Sequence, residues 1–244
     1  MVLRGRHAPF MAGAWVFPGG VVDDIDRSEA AQAALDGVDD SQAHWLAAAV
    51  REVVEETGIW LSAAPTVLPP DRRPAGAAIF TAARRHGRFA VGNVALLSNW
   101  VTPTVVPLRF DARFYVTVVD NRLEGIPDRA EIDAVAWVSP RDAIERASGG
   151  SFLLPFPTRR TLAHFARYES AGAILAAARS QTEIVPIQPR LRIVGDVIEA
   201  LVPGDAGFEE LGDPPPDPDI LARAVSVTGS RREPVPELSP RRAP

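Results

Sequence analysis

The 244-residue chain contains no cysteine, which excludes disulfides, thiolate metal sites and cysteine nucleophiles without assigning a compartment. It lacks any apolar run of the ~18 residues that a membrane-spanning helix requires. Equally absent are a GxxxxGK[ST] phosphate loop, a dinucleotide-binding GxGxxG, a Cys/His metal cluster and an internal repeat. The net charge of −5 supplies no broad cationic field for nucleic acid, although it leaves room for a local basic pocket. MVLRGRHAPFM has no secretory apolar core, and the closing Arg-Ala-Pro is not a peroxisomal Ser-Lys-Leu. The expectation is a cytoplasmic protein with neither membrane nor nucleic-acid partners.

What is present suits one globular domain with additions, since 46% of the residues are hydrophobic. The stretch from Trp15 to Trp60 organises the rest. WVFPGG at 15–20 reads as a short strand broken by a Pro-Gly-Gly turn. AAAVREVVEETGI at 47–59 reads as a helix that puts Leu46, Val50, Val53 and Thr57 within roughly 40° of one another. Glu52, Glu55 and Glu56 fall on another side, and Gly58 stands where a helix commonly stops. Three gathered carboxylates repel one another unless a cation compensates, and a hard divalent ion such as Mg²⁺ or Mn²⁺ prefers oxygen ligands. Spacing alone also admits a solvated helix face on which Arg51 and Glu55 form an i,i+4 pair.

REVVEETGI at 51–59, with Phe17, Pro18, Gly19 and Gly20 upstream, resembles the two halves of the Nudix box. From Gly20 to Ile59 the stretch spans 40 residues, about 17 more than the ordinary box, so a segment at about 27–43 reads as inserted. Asp26 stands where the family has a Glu. The expanded box, with FMAGAWVFPGGVVDD, NWVTP, RFDARFY and LPFPTRRTL, resembles the branch that holds the peroxisomal coenzyme A diphosphatases and their bacterial relatives. The resemblance implies a Nudix-type α/β/α sandwich with a mixed β-sheet over 1–202, followed by a Pro-rich extension over 203–244. It also allows a homodimer.

Val2 and Leu3 make a brief opening strand, which is expected to leave a sheet position empty or filled by another strand. Residues 28–36 read as an Ala-rich helix capped by Ser28, and the insertion as a flap beside the substrate cleft. Asp39, Asp40 or Ser41 can cap the main helix. A helix is expected at 75–90 with Ala78, Ile79 and Ala82 inward, then a central strand at 109–119 and a strand at 134–138. Two more helices follow, one from Ser139 to Gly149 and one at roughly 158–169. Residues 172–179 are weakly helical; from Pro203 the chain turns Pro-, Asp- and Gly-rich, with DPPPDPD at 213–219, and about its last twenty residues read as disordered or polyproline II-like.

The resemblance further implies metal-dependent hydrolysis of a nucleoside diphosphate derivative, with Mg²⁺ or Mn²⁺ as cofactor. It assigns Glu52 and Glu56 as ligands and Glu55 as third ligand or water-activating base. Arg51 orients the carboxylates, and Asp26 could reach a metal only through water. Arg6, Gly19, Gly20 and Glu131 stand on the substrate side. Coenzyme A or an acyl-CoA leads as substrate, with ADP-ribose, a dinucleotide or a nucleoside triphosphate as alternatives. A non-catalytic nucleotide-binding domain and a scaffold with surface acids are the readings from other classes.

Overall fold

The computed structural model describes residues 1–8, 11–38, 41–106, 109–119, 122–194 and 197–212. Its strands are β1 (Val2–Arg4), β2 (Trp15–Val16), β3 (Leu35–Asp36), β4 (Ile59–Trp60), β5 (Thr66–Val67), β6 (Phe89–Ala90), β7 (Ala95–Val101), β8 (Asp111–Val116), β9 (Ile132–Val135), β10 (Arg190–Val194) and β11 (Val197–Leu201). The helices are α1 (Glu29–Ala34), α2 (Ala43–Thr57), α3 (Ala77–His86), α4 (Pro140–Ser148), α5 (Phe156–Phe165) and α6 (Ala171–Arg179). Parallel and antiparallel strand pairs combine with these helices in the mixed α/β architecture of the expected sandwich. The chain divides into two compact units, one of residues 1–95 with 115–176 and one of residues 96–114 with those from 177 onward. Among the described residues no helix is long and apolar enough to cross a membrane.

In the first unit β1, brief as it is, pairs antiparallel with β2 on one side and β9 on the other, and so takes the middle of a three-stranded sheet. Val2, opposite Val16 and Val135, is fully buried. Strand β9 starts and ends earlier than 134–138, because Trp137 beyond it is half exposed and bonded through Nε1 to Leu123 O at 2.7 Å. It walls an open cavity with Ser139 and Asp142.

Helix α2 buries Leu46, Ala47, Val50 and Val54. Val54 is fully buried while Val53 is only half-buried, so the apolar stripe turns one residue from the expected one. Gln42 is the N-cap residue and makes no side-chain cap bond. Ser41 lies one place before it, and Asp39 and Asp40 lie outside the described residues. At the other end Gly58, at φ 72°, donates its N–H to Val54 O at 2.8 Å, a left-handed close that glycine adopts without a Cβ penalty.

The inserted segment is core rather than flap. Ser28 Oγ accepts the Ala31 N–H at 3.2 Å and starts α1, as its position suggests. The helix ends at Ala34, two residues before the expected limit, because Leu35 turns extended so that β3 can pair parallel with β6. Ala31, Ala34 and Leu35 are almost inaccessible and share one cluster with Ile79, Phe80, Ala83, Phe89 and Trp60. In α3 Phe80 and Ala83 join Ile79 on the buried face, while Ala78 faces solvent. The larger Phe80 ring claims the core side, and the helix is shorter than 75–90.

A smaller cluster holds Ala143, Phe152 and Leu162, with Trp15 stacked on Phe152 at 4.5 Å. Helix α4 has the expected Ser139 cap, which accepts the Asp142 N–H at 3.1 Å, and Gly149 ends it. Helix α5 begins at Phe156 rather than 158, since Pro157 fits the first helical turn, where its missing N–H is not needed. In the second unit β10 and β11 pair antiparallel across Arg192–Glu199, whose atoms lie 2.7 Å apart. Strand β8, which straddles the two units, pairs with β7 and is exposed or half-buried throughout rather than a buried central strand. Residues 203–212 are folded, with Phe208 buried under the Arg190 guanidinium at 4.2 Å. The Pro-rich run from 213 lies outside the described residues.

Candidate active site

The second half of α2 carries the charged cluster. Glu56 is only 4% exposed, and its Oε2 accepts the Gly19 N–H at 3.1 Å. Burial, then the nearby charges of Glu52 and Asp128, push the Glu56 carboxyl up to about 8, against the Gly19 bond and the attraction of Arg4. Burial, with the charges of Glu55 and Glu131, also raises Glu52, although Arg51 works in the opposite direction. Two neighbouring carboxylates thus resist ionisation, and a cation between them would relieve both.

Arg51 sits almost fully buried at the centre of this arrangement. It donates Nε and Nη2 to the two oxygens of Asp26, both at 2.9 Å, Nη1 to Glu52 at 2.7 Å and to Glu55 at 2.9 Å, and Nη2 also to Val21 O at 2.9 Å. Asp26 is fully buried, and its Oδ2 also accepts the Asp23 N–H at 2.8 Å. The 3₁₀ turn Asp24–Arg27 brings the Asp26 main chain close enough for a carboxylate one methylene shorter than Glu. Asp26 is therefore committed to the guanidinium, a fork-to-fork pair of fixed geometry.

At Gly20 the end of the Glu52 side chain occupies the place that a Cβ would take. A Cβ there would stand 2.3 Å from Glu52 Oε1, closer than any real contact. Gly20→Ala is expected to turn Glu52 away from Arg51 and weaken Mn²⁺ affinity about 10–100-fold, the usual cost of disturbing what orients a ligand. Titration calorimetry checks this, and the melting temperature should change little.

Glu131 and Arg6, expected on the substrate side, and the nearby Asp128 and Arg4 bear on the carboxylates unequally. Glu131 is exposed, but its charge acts on Glu52. Asp128 ties its own loop by accepting the N–H groups of Ala130, Glu131 and Ile132 at 2.8–3.0 Å. Arg4, not Arg6, supplies a positive charge felt by Glu56, while Arg6 is exposed in a turn. Glu55 is held at both oxygens, by Arg51 and by the Gly76 N–H at 2.6 Å. Gly76 and its neighbour Arg73 carry no signal in PDRRPAG beyond a break in regular structure.

Among the described residues no three acidic or histidine side chains form a ready-made metal cage. Mg²⁺ is commonly held by one or two carboxylates and completes its shell with water and substrate phosphate. Glu52 and Glu56 fit such a pair: hard oxygen donors, each with an oxygen that the contacts above leave unused, and each raised in pKa first of all by burial.

A mixed α/β domain that sets a carboxylate helix against a glycine turn suits a metal-dependent hydrolase, and the family to which the chain belongs acts on nucleoside diphosphate-linked molecules. The NUDIX domain matches residues 1–156, and the chain belongs to the Nudix family. It is 27% identical to a Caenorhabditis elegans protein provisionally named nudix hydrolase 7, over 84% of this chain and 68% of that one. It is 24% identical to the human acyl-coenzyme A diphosphatase NUDT19, over 96% of this chain and 76% of that one. The crystal structure of a NUDIX hydrolase from Alicyclobacillus acidocaldarius has a similar fold, with a TM-score of 0.63 and 29% identity over 72% of this chain and 86% of that one.

Proposed function

We propose that the chain cleaves the diphosphate of coenzyme A or an acyl-coenzyme A with Mg²⁺ or Mn²⁺. The observation that carries the chemistry is the desolvated Glu52–Glu56 pair, which is costly to ionise without a cation. The expanded box and the likeness to an acyl-coenzyme A diphosphatase across 96% of the chain support the substrate. A bound divalent ion neutralises phosphoryl oxygens and makes water a better nucleophile. Glu52 and Glu56 would hold it, Arg51 would keep Glu52 and Glu55 in place, and the Gly19–Gly20 turn would let the diphosphate approach the main chain. Water adds across the P–O–P linkage and leaves one of its two phosphates on each product: adenosine 3′,5′-bisphosphate, which keeps the substrate's own 3′-phosphate, and 4′-phosphopantetheine or its acyl form. A product-mass screen over coenzyme A, acetyl-coenzyme A, ADP-ribose, NADH and nucleoside triphosphates tests the choice. Hydrolysis confined to substrates without pantetheine rejects it.

The raised Glu56 pKa sets an expected pH dependence. Between the ordinary value of 4.5 and about 8 the folded state holds a proton that the unfolded state has lost. Its contribution to the stability of the metal-free protein is therefore complete below about 4.5 and falls as pH rises through about 8. A cation binds the ionised form, so Mn²⁺ should raise the melting temperature more at pH 8.5 than at pH 6.0. Equal thermal shifts at the two pH values would count against a Glu56 ligand.

A further inference from the structure

Glu55 is fixed from two directions by one short stretch of chain. The Gly76 N–H donates to its side chain at 2.6 Å, and Arg73 Nη1 donates to its carbonyl at 3.0 Å. That carbonyl belongs to the last turn of α2, where no intrahelical partner exists. The same guanidinium donates through Nη2 to Ile126 O at 2.7 Å and Leu68 O at 3.4 Å. Gly58 makes room for it, since a Cβ there would lie 2.6 Å from Arg73 Nη2.

Gly76 is the N-cap residue of α3, at φ 55° and ψ −138°, so its N–H stands at the end of a helix suited to a carboxylate. Helix α3 in turn rests on the inserted helix: Ala31 and Ala34 of α1 share their core with Ile79, Phe80 and Ala83 of α3. Among the described residues the Arg73 guanidinium donates to the carbonyls of Glu55, Leu68 and Ile126, and its buried Nε finds no acceptor. A half-buried guanidinium bonded to carbonyls is a costly way to pack a helix end, since an apolar chain of similar length would fill the space.

We propose that Arg73 is a positioning residue which, together with the Gly76 amide, locks Glu55 against Arg51 and holds it in register with Glu52 and Glu56. The inference rests on the hydrolase reading above, and it gives the box insertion a part in the site through α3. Amide hydrogen exchange and turnover of Arg73→Met test it. The Gly76 amide is expected to exchange at least about tenfold faster than in the wild type, with the Ile79 amide unchanged. The kcat is expected to fall about tenfold with KM within about twofold, and this loss should disappear when Glu55→Gln is already present. Arg73→Lys keeps one donor, should fall between the two, and carries the same measurements if Arg73→Met does not fold. Unchanged exchange at Gly76, or an equal loss of kcat with Glu55 and with Gln at that position, overturns the proposal. A wild-type chain that hydrolyses no diphosphate counts against the functional reading, and exchange at Gly76 still decides the role of Arg73.

Discussion

Glu56→Gln is expected to reduce turnover at saturating metal by at least about 100-fold while the fold survives. The amide nearly matches the carboxylate in volume and can still accept the Gly19 N–H, so the turn at Gly19–Gly20 should hold. What it cannot do is carry the charge that completes the pair with Glu52. Removing a carboxylate that burial and Glu52 already disfavour also relieves the metal-free protein. The variant should therefore be at least as stable as the wild type at pH 8.5 without metal, and should lose most of the thermal shift that Mn²⁺ produces. Turnover equal to that of the wild type would remove Glu56 from the site.

Arg51→Met is expected to have the largest effect on stability. The guanidinium is the shared partner of Asp26, Glu52 and Glu55, and Asp26 is wholly buried. Truncation leaves that carboxylate desolvated and without its cation, which typically costs about 3–5 kcal/mol. For a chain of this size the melting temperature should fall by roughly 6–20 °C. Replacing both partners, Arg51→Met with Asp26→Leu, should recover part of the stability, because apolar residues fill such a site without an unpaired charge. Activity should not return with it, since Glu52 and Glu55 remain unanchored. A melting temperature within a degree of wild type for Arg51→Met would show that the buried network contributes little.

The legible parts of this protein are those in which local chemistry and tertiary role coincide. The turn at Gly19–Gly20, the charged face of α2, its glycine stop and the Ser139-capped helix all carry their reasons within a few neighbouring residues. The insertion did not, because an Ala-rich helix looks the same whether it lies over a cleft or within a core. Only its contact with Phe80 and Phe89, some fifty residues away, makes it core. The choice of Val54 over Val53 depended on which side of α2 faced that added layer. Asp26 looked like a weakened position because its pairing with Arg51 spans 25 residues and relies on a 3₁₀ turn. Arg73 and Gly76 were invisible for a similar reason, since their partners are mostly main-chain carbonyls and a carboxylate brought together by the fold.

The proposed hydrolysis of a pantetheine-bearing diphosphate requires Glu52 and Glu56 to hold a divalent ion. Mass spectrometry of coenzyme A incubated with Mg²⁺ and either the wild-type chain or Glu56→Gln tests it most directly. The wild type should release adenosine 3′,5′-bisphosphate and 4′-phosphopantetheine in equal amounts, and the variant should release neither at a comparable rate. Intact coenzyme A in the presence of active wild-type protein, or equal product from both proteins, would contradict it.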